Sequence, residues 1–112
     1  MKIKNPTKFQ IEDIKIGKGQ EVVGGDFILM HYKGVLEDGT EFDSSYSRGT
    51  PFKTRIGIGQ VIAGWDMGVV GMKVGGKRRL VIPPTLAYGD QEMGIIPSNS
   101  TLIFELELVD IE

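Results

Sequence analysis

The chain carries one histidine, His31, and no cysteine, which removes most of the groups that bind metal or attack a carbonyl. A lone histidine lacks a second imidazole or thiolate with which to build a metal set, so His31, in the middle of an apolar run, reads as structural. Gly71-Met72-Lys73-Val74-Gly75-Gly76-Lys77 fits most of a phosphate-binding loop. It fails at Arg78, where Ser or Thr is required, and it leads into a strand instead of a helix. The acidic stretch from Glu37-Asp38-Gly39 to Asp43 lacks the alternating oxygen ligands of a calcium loop and reads as a turn. What remains is apolar: Phe42, Phe52, Trp65, Tyr88 and the pair Ile95-Ile96 all stand outside the regular strand cores. Each alone is adequate core filler. Together with Tyr32 and Phe104 on inward strand faces, they can line one deep aromatic pocket with few polar groups, suited to an apolar ring.

Something must bury the largest of these rings. The only tryptophan lies in Gly57-Ile58-Gly59-Gln60-Val61-Ile62-Ala63-Gly64-Trp65-Asp66, which reads as a short helix entered through a glycine loop. From Ile62 the large apolar residues fall at Ile62, Trp65, Val69 and Met72, a spacing of three and four that makes one stripe. One short helix cannot bury an indole alone, so a sheet must fold over the stripe, with the indole in the wall or floor of the pocket.

The strands are legible on both sides of it. Phe9 to Ile16 alternates, with a parity slip near Glu12-Asp13 that a bulge explains. Phe27 to Leu36 is apolar on both faces, as a central strand should be. Asp38-Gly39 marks a hairpin turn, and the chain returns through Glu41-Phe42-Asp43. Ser44 to Thr50 reads as a polar surface loop, and Pro51-Phe52 restarts an extended segment through Ile56. Lys77 to Ile82 is a strand ended by Pro83-Pro84. Thr85 to Asn99 is a long excursion of the functional or mobile kind. Thr101 to Ile111 alternates cleanly, with Leu102, Phe104, Leu106 and Leu108 inward. The expected fold is α+β, an antiparallel twisted β-sheet of about five strands wrapped around one short α-helix.

At 112 residues the chain is read as one domain, with residues 1–8 a flexible N-terminal tail and residues 9–112 the folded unit. A net charge of −2 supplies no field for nucleic acid, and Lys77-Arg78-Arg79 reads as a strand edge in solvent. No segment approaches the roughly 18 apolar residues of a membrane span, and the polar start lacks the apolar run of a signal peptide. A cytoplasmic monomer is expected, with no cofactor, no metal, no nucleic acid and no membrane among its partners. Sixteen glycines are about twice the usual share of roughly 7%, which implies many turns or close backbone approaches.

The motifs His31-Tyr32-x-Gly34, Leu36-Glu37-Asp38-Gly39-x-x-Phe42-Asp43-Ser44-Ser45, Pro51-Phe52, Gly57, Val61-Ile62-x-Gly64-Trp65, Met72-x-x-Gly75, Ala87-Tyr88-Gly89, Ile96-Pro97 and Leu102-x-Phe104 stand in one order across residues 26–111. In this the sequence resembles the FKBP-type peptidyl-prolyl isomerases, immunophilins that bind macrolides such as tacrolimus and rapamycin. The resemblance implies an FKBP-like fold and a proline pocket with Trp65 as floor and Tyr32, Phe42, Phe52, Val61, Ile62 and Phe104 as walls. It implies that the Ile62 N–H, at the start of a helix where such groups lack partners, binds a substrate or macrolide carbonyl. Tyr88 would donate its hydroxyl to a second carbonyl, and Asp43 would join a buried network with Tyr32 and Arg48. The binding set is completed by Ile95 and Ile96, and the catalytic set is Asp43, Ile62 and Tyr88. Asp90-Gln91-Glu92-Met93-Gly94 is one residue shorter than the loop of the best-known single-domain members and lacks the histidine often found there. The implied partners are proline-containing peptides, unfolded or folding proteins, and macrolides. A non-catalytic proline- or macrolide-binding adaptor, or a chaperone-like module, is the alternative.

Overall fold

Strand β2 (Phe27–Leu36) organises the sheet. On one side it pairs along its whole length with β6 (Leu102–Ile111), antiparallel, from Ile28 opposite Ile111 to Leu36 opposite Leu102. On the other side two short strands share its edge: β3 (Glu41–Ser44) opposite Lys33–Val35, and β4 (Phe52–Arg55) opposite Phe27–Met30. Beyond β6 lie β5 (Lys77–Ile82) and then β1 (Gln10–Lys15), giving the order β1-β5-β6-β2-β3 with β4 on β2. This computed structural model describes residues 8–112, and the tail expected at the N-terminus lies, but for Lys8, outside the described residues.

The fold is α+β as expected, with six strands among the described residues instead of about five. The expected loop at Ser44–Thr50 contains a turn of helix, α1 (Ser45–Arg48), capped by the Ser44 hydroxyl and closed by Gly49 in the left-handed region. The central helix α2 (Ala63–Gly68) is shorter than the apolar stripe that announces it. Even so, Trp65, Val69 and Met72 are all buried, because the chain continues inward past the helix end. They pack on Ile28, Met30, Leu80, Ile82, Leu106 and Leu108, the inward residues of β2, β5 and β6. The helix lies close to β5 because two of its residues have no side chain. A Cβ on Gly64 would meet Ile82 at 2.5 Å, and one on Gly68 would meet Leu80 at 2.6 Å.

The outer face is built from opposite charges in register across four strands, Lys33 opposite Glu105, Glu105 opposite Arg79, and Arg79 opposite Glu12, an arrangement that favours this pairing. The basic run does not sit on a solvent edge. Strand β5 is interior, and Arg78, 9% exposed, points inward. Its Nε donates to Asp13 Oδ1 at 2.7 Å, and its Nη1 donates to the carbonyls of Gly68 and Val70 at 2.9 and 3.1 Å. One guanidinium thus ties the edge strand and the end of α2 to β5. Strand β1 is otherwise exposed throughout, with Ile11 and Ile14 in solvent, and its register shifts between Asp13 and Lys15, beside the expected parity slip. Asp13→Ala is expected to lower the unfolding free energy by about 1–2 kcal/mol, at the modest end because the carboxylate is partly exposed; urea denaturation measures it.

Candidate active site

Every element except β1 and β5 supplies the site at least one residue or its support. Strand β2 brings Tyr32, β3 brings Phe42 and Asp43, β4 brings Phe52, and β6 brings Phe104. The loop into α2 brings Gly59, Gln60, Val61 and Ile62, α2 brings Trp65, and the excursion after β5 brings Tyr88. These line one cavity of about 510 Å³. Trp65 is 4% exposed and is met edge-on by three rings, Tyr32 at 5.0 Å and 77°, Phe104 at 5.2 Å and 83°, and Phe52 at 6.0 Å and 75°. Phe42 meets Phe104 in the same way at 5.5 Å and 89°. Edge-to-face pairs place positive ring edges on negative ring faces, so the rings fix one another's tilt and leave space between them.

Along one wall runs a hydrogen-bonded chain. The Tyr32 hydroxyl donates to Asp43 Oδ2 at 2.5 Å, Arg48 Nη1 donates to Asp43 Oδ1 at 2.6 Å, and Arg48 Nη2 donates to the Tyr32 hydroxyl at 2.8 Å. The Ser44 N–H adds a fourth bond to Asp43 Oδ1. The network is less buried than expected: the side chains of Arg48 and Asp43 are 51% and 41% exposed, and only Tyr32 is enclosed. Burial pushes the Asp43 carboxyl up, but the Tyr32 hydroxyl, the Arg48 guanidinium and the Ser44 N–H outweigh it and hold the group below the usual carboxylate range. Tyr32 is raised, by burial first and by its bond to Asp43 second. Tyr88 is raised too, by burial and then by the negative charge of Asp43.

Helix turn α1 carries Arg48 into this network, and residues adjoining Tyr32 hold α1 in place. Ser45 Oγ accepts from the Tyr32 N–H at 2.7 Å and lies 2.8 Å from His31 Nδ1. The Tyr46 ring stacks on His31 at 4.6 Å, and its hydroxyl donates to Glu107 Oε1 at 2.8 Å. His31 therefore braces the turn from the outer face of the sheet.

Two donors are left over at the cavity. Ile62 caps α2 with φ −58° and ψ 150°, and among the described residues its N–H and the Tyr88 hydroxyl have no acceptor. The indole Nε1 of Trp65 is also buried without a partner. Three expected site residues stand apart from the cavity lining. Arg48 lies behind Asp43, Ile95 is 60% exposed, and Ile96 is buried in the core at 6%. Gly59 and Gln60 line the cavity and were not expected there; the signal for them is their place in the glycine loop directly before Val61.

The sequence profile described as FKBP-type peptidyl-prolyl cis-trans isomerase matches residues 18–109. The chain belongs to this family. It is 56% identical over 105 residues to FK506-binding protein 1A of Neurospora crassa, covering 92% of this chain and 88% of that one. Against FK506-binding protein 2 of Debaryomyces hansenii it is 61% identical over 87 residues, which cover 78% of this chain and 64% of the relative. The fold superposes on the crystal structure of AtFKBP13 with a TM-score of 0.87 and 45% identity, covering 93% of each chain. The family is one of enzymes, the peptidyl-prolyl cis-trans isomerases. Among the described residues no helix is long and apolar enough to cross a membrane.

Trp65→Ala is expected to cost about 3–5 kcal/mol of stability by emptying a large buried site, read by urea denaturation, and to abolish binding in the cavity. Because the Asp43 carboxyl is lowered on folding, its contribution is present above the ordinary carboxylate range and is lost as pH falls through the lower folded value. Asp43→Asn should therefore flatten the acid side of the stability curve, measured as unfolding midpoint against pH.

Proposed function

We propose that the aromatic cavity accelerates rotation about X-Pro bonds in proline-containing peptides and in unfolded or folding proteins, and that it takes tacrolimus- and rapamycin-type macrolides in the same place. The observation that carries this reading is a ring-lined cavity of about 510 Å³ that includes the buried Trp65, met edge-on by three rings, with two unpartnered donors, the Ile62 N–H and the Tyr88 hydroxyl, on residues of its lining.

The X-Pro bond resists rotation because twisting it breaks amide resonance, a barrier of roughly 18–20 kcal/mol crossed unaided in tens of seconds. No bond to another atom need form. The twisted amide has a less polarised carbonyl and a more pyramidal nitrogen than the planar one, so a water-poor apolar cavity favours it over the ground state. This is catalysis by differential binding. The prolyl ring rests on Trp65 between Tyr32, Phe52 and Phe104. The Ile62 N–H and the Tyr88 hydroxyl hold carbonyls on either side, so that one flank of the bond turns against the other. Asp43 fixes Tyr32 and Arg48, and neither gives nor takes a proton.

The test is the rate of prolyl isomerisation in a short Leu-Pro-Phe peptide, with and without the protein and then with excess tacrolimus. Acceleration abolished by the macrolide is expected, whereas tight macrolide binding with no acceleration would make the domain a binding module. Tyr88→Phe should lower kcat/KM by about two- to tenfold, the worth of one hydrogen bond, with the fold intact by circular dichroism.

A further inference from the structure

We infer that Asp66 is a positioning residue for this site: its carboxylate holds residues 57–62 in the shape that presents the Ile62 N–H and the adjoining wall to the cavity. The inference rests on the isomerase reading for its kinetic consequence only.

The loop Gly57-Ile58-Gly59-Gln60-Val61-Ile62 supplies four of the cavity-lining residues yet lies in no helix or strand, only a turn at Ile56-Gly57 leading into it. Among the described residues no backbone–backbone hydrogen bond involves positions 57–61. Two side chains hold it instead. Asp66 Oδ1 accepts from the Gly57 N–H at 2.8 Å, and Asp66 Oδ2 accepts from the Gly59 N–H at 2.9 Å. Gln60 Oε1 accepts more distantly, from the Arg55 N–H at 3.2 Å and the Thr54 hydroxyl at 3.4 Å.

The carboxylate bonds are the shorter and the charge-assisted ones, roughly twice as strong as neutral bonds. Both glycines lie in the left-handed region, Gly57 at φ 90° and Gly59 at φ 81°, where a side chain is strained. That conformation turns two N–H groups onto one anion, a concavity of the kind that binds free anions elsewhere and is filled here by the chain's own carboxylate. Asp66 also lies in the first turn of α2, where negative charge is favoured. The carboxylate thus ties the loop to the helix that carries Trp65, the neighbouring residue, and so fixes the wall relative to the base of the cavity.

The Ile62 carbonyl is held separately, by the Trp65 and Asp66 N–H groups at 2.9 and 3.2 Å, so removing this tie loosens the chain on the N–H side of Ile62, through Gly57 to Val61. A misplacement of about 1 Å costs a reaction about 10²-fold, so Asp66→Ala should lower kcat/KM on the Leu-Pro-Phe peptide by at least about tenfold, and Asp66→Glu should recover part of it. The control is Asp13→Ala, which also removes a carboxylate bonded by two N–H groups, at the far edge of the sheet. A purely structural role makes the two variants alike at equal folded fraction. The positioning role makes only Asp66→Ala lose turnover.

A second readout needs no substrate. Trp65 is the only tryptophan, so its emission should shift red and its quenching by acrylamide should steepen in Asp66→Ala and not in Asp13→Ala. If Asp66→Ala does not fold, Asp66→Asn, which keeps one acceptor, carries both measurements. Equal kcat/KM and equal quenching in the two folded variants would overturn the inference. A wild-type protein that accelerates nothing would overturn the isomerase reading instead, and the quenching comparison would still decide the role of Asp66.

Discussion

The structure depends on an indole that its own helix cannot bury. Helix α2 has six residues, little more than one and a half turns, and Trp65 projects from it into the concave face of the sheet. Three rings from three different strands, Tyr32, Phe52 and Phe104, meet that indole edge-on. Each such pair contributes about 0.5–1.5 kcal/mol beyond area burial, set against about 1–3 kcal/mol for leaving the indole Nε1 unpaired. The balance favours keeping the ring buried. The hydrophobic core and the candidate site are therefore one object: the residues that close the core on one side line the cavity on the other.

That economy explains why the edge of β2 is interrupted. A continuous strand in place of β3, α1 and β4 would satisfy the same backbone groups, but it would place neither Arg48 nor Phe52 where they are. The helical turn lets Asp43 and Arg48, five residues apart, grip one phenol, and it restarts the strand in register so that Phe52 reaches Trp65. Its cost is met by contacts on the opposite face of the same strand, where Ser45 is fully buried and Tyr46 stacks on His31. The lone histidine, structural by its place in the sequence, braces the turn on which the Asp43 network stands.

How much of this was legible follows from what produces a periodic signal. Strands β2 and β6 were, the first as ten residues apolar on both faces and the second by clean alternation, and Asp38-Gly39 fixed the turn after β2. The stripe Ile62, Trp65, Val69, Met72 gave the right buried face and too long a helix, since Val69 and Met72 reach the core through the turn that follows. Helix α1 was not legible: Ser-Tyr-Ser-Arg has weak helix propensity, and four residues cannot show a period. Arg78 was misjudged because a basic run looks solvated, while the carboxylate that receives it, Asp13, is 65 residues away and invisible to local pattern. Ile95 and Ile96 were grouped by composition, and the fold separates them, one into solvent and one into the core. Nothing periodic points to Tyr88, which only the inventory of aromatic residues outside the strands brings forward, and the donor roles of its hydroxyl and of the Ile62 N–H come from the family motifs alone.

The polar groups around the cavity fall into two kinds, and the division bears on the proposed reaction. General acid–base catalysis needs a group whose pKa lies near the working pH. Here the shifts run the other way: Asp43 is held low by Tyr32 and Arg48, while Tyr32 and Tyr88 are pushed up by burial. Each group keeps one protonation state across neutrality, Asp43 as an anion bonded to Tyr32 and Arg48 and Tyr88 as a neutral hydroxyl. The second kind, the donors without acceptors, is what such a site leaves for a ligand, because an unpartnered N–H or O–H beside an apolar ring gains most from a carbonyl that arrives already stripped of water. For a reaction in which an amide only turns, fixed charges and waiting donors are sufficient, and a titrating group would add a pH dependence with nothing gained in rate.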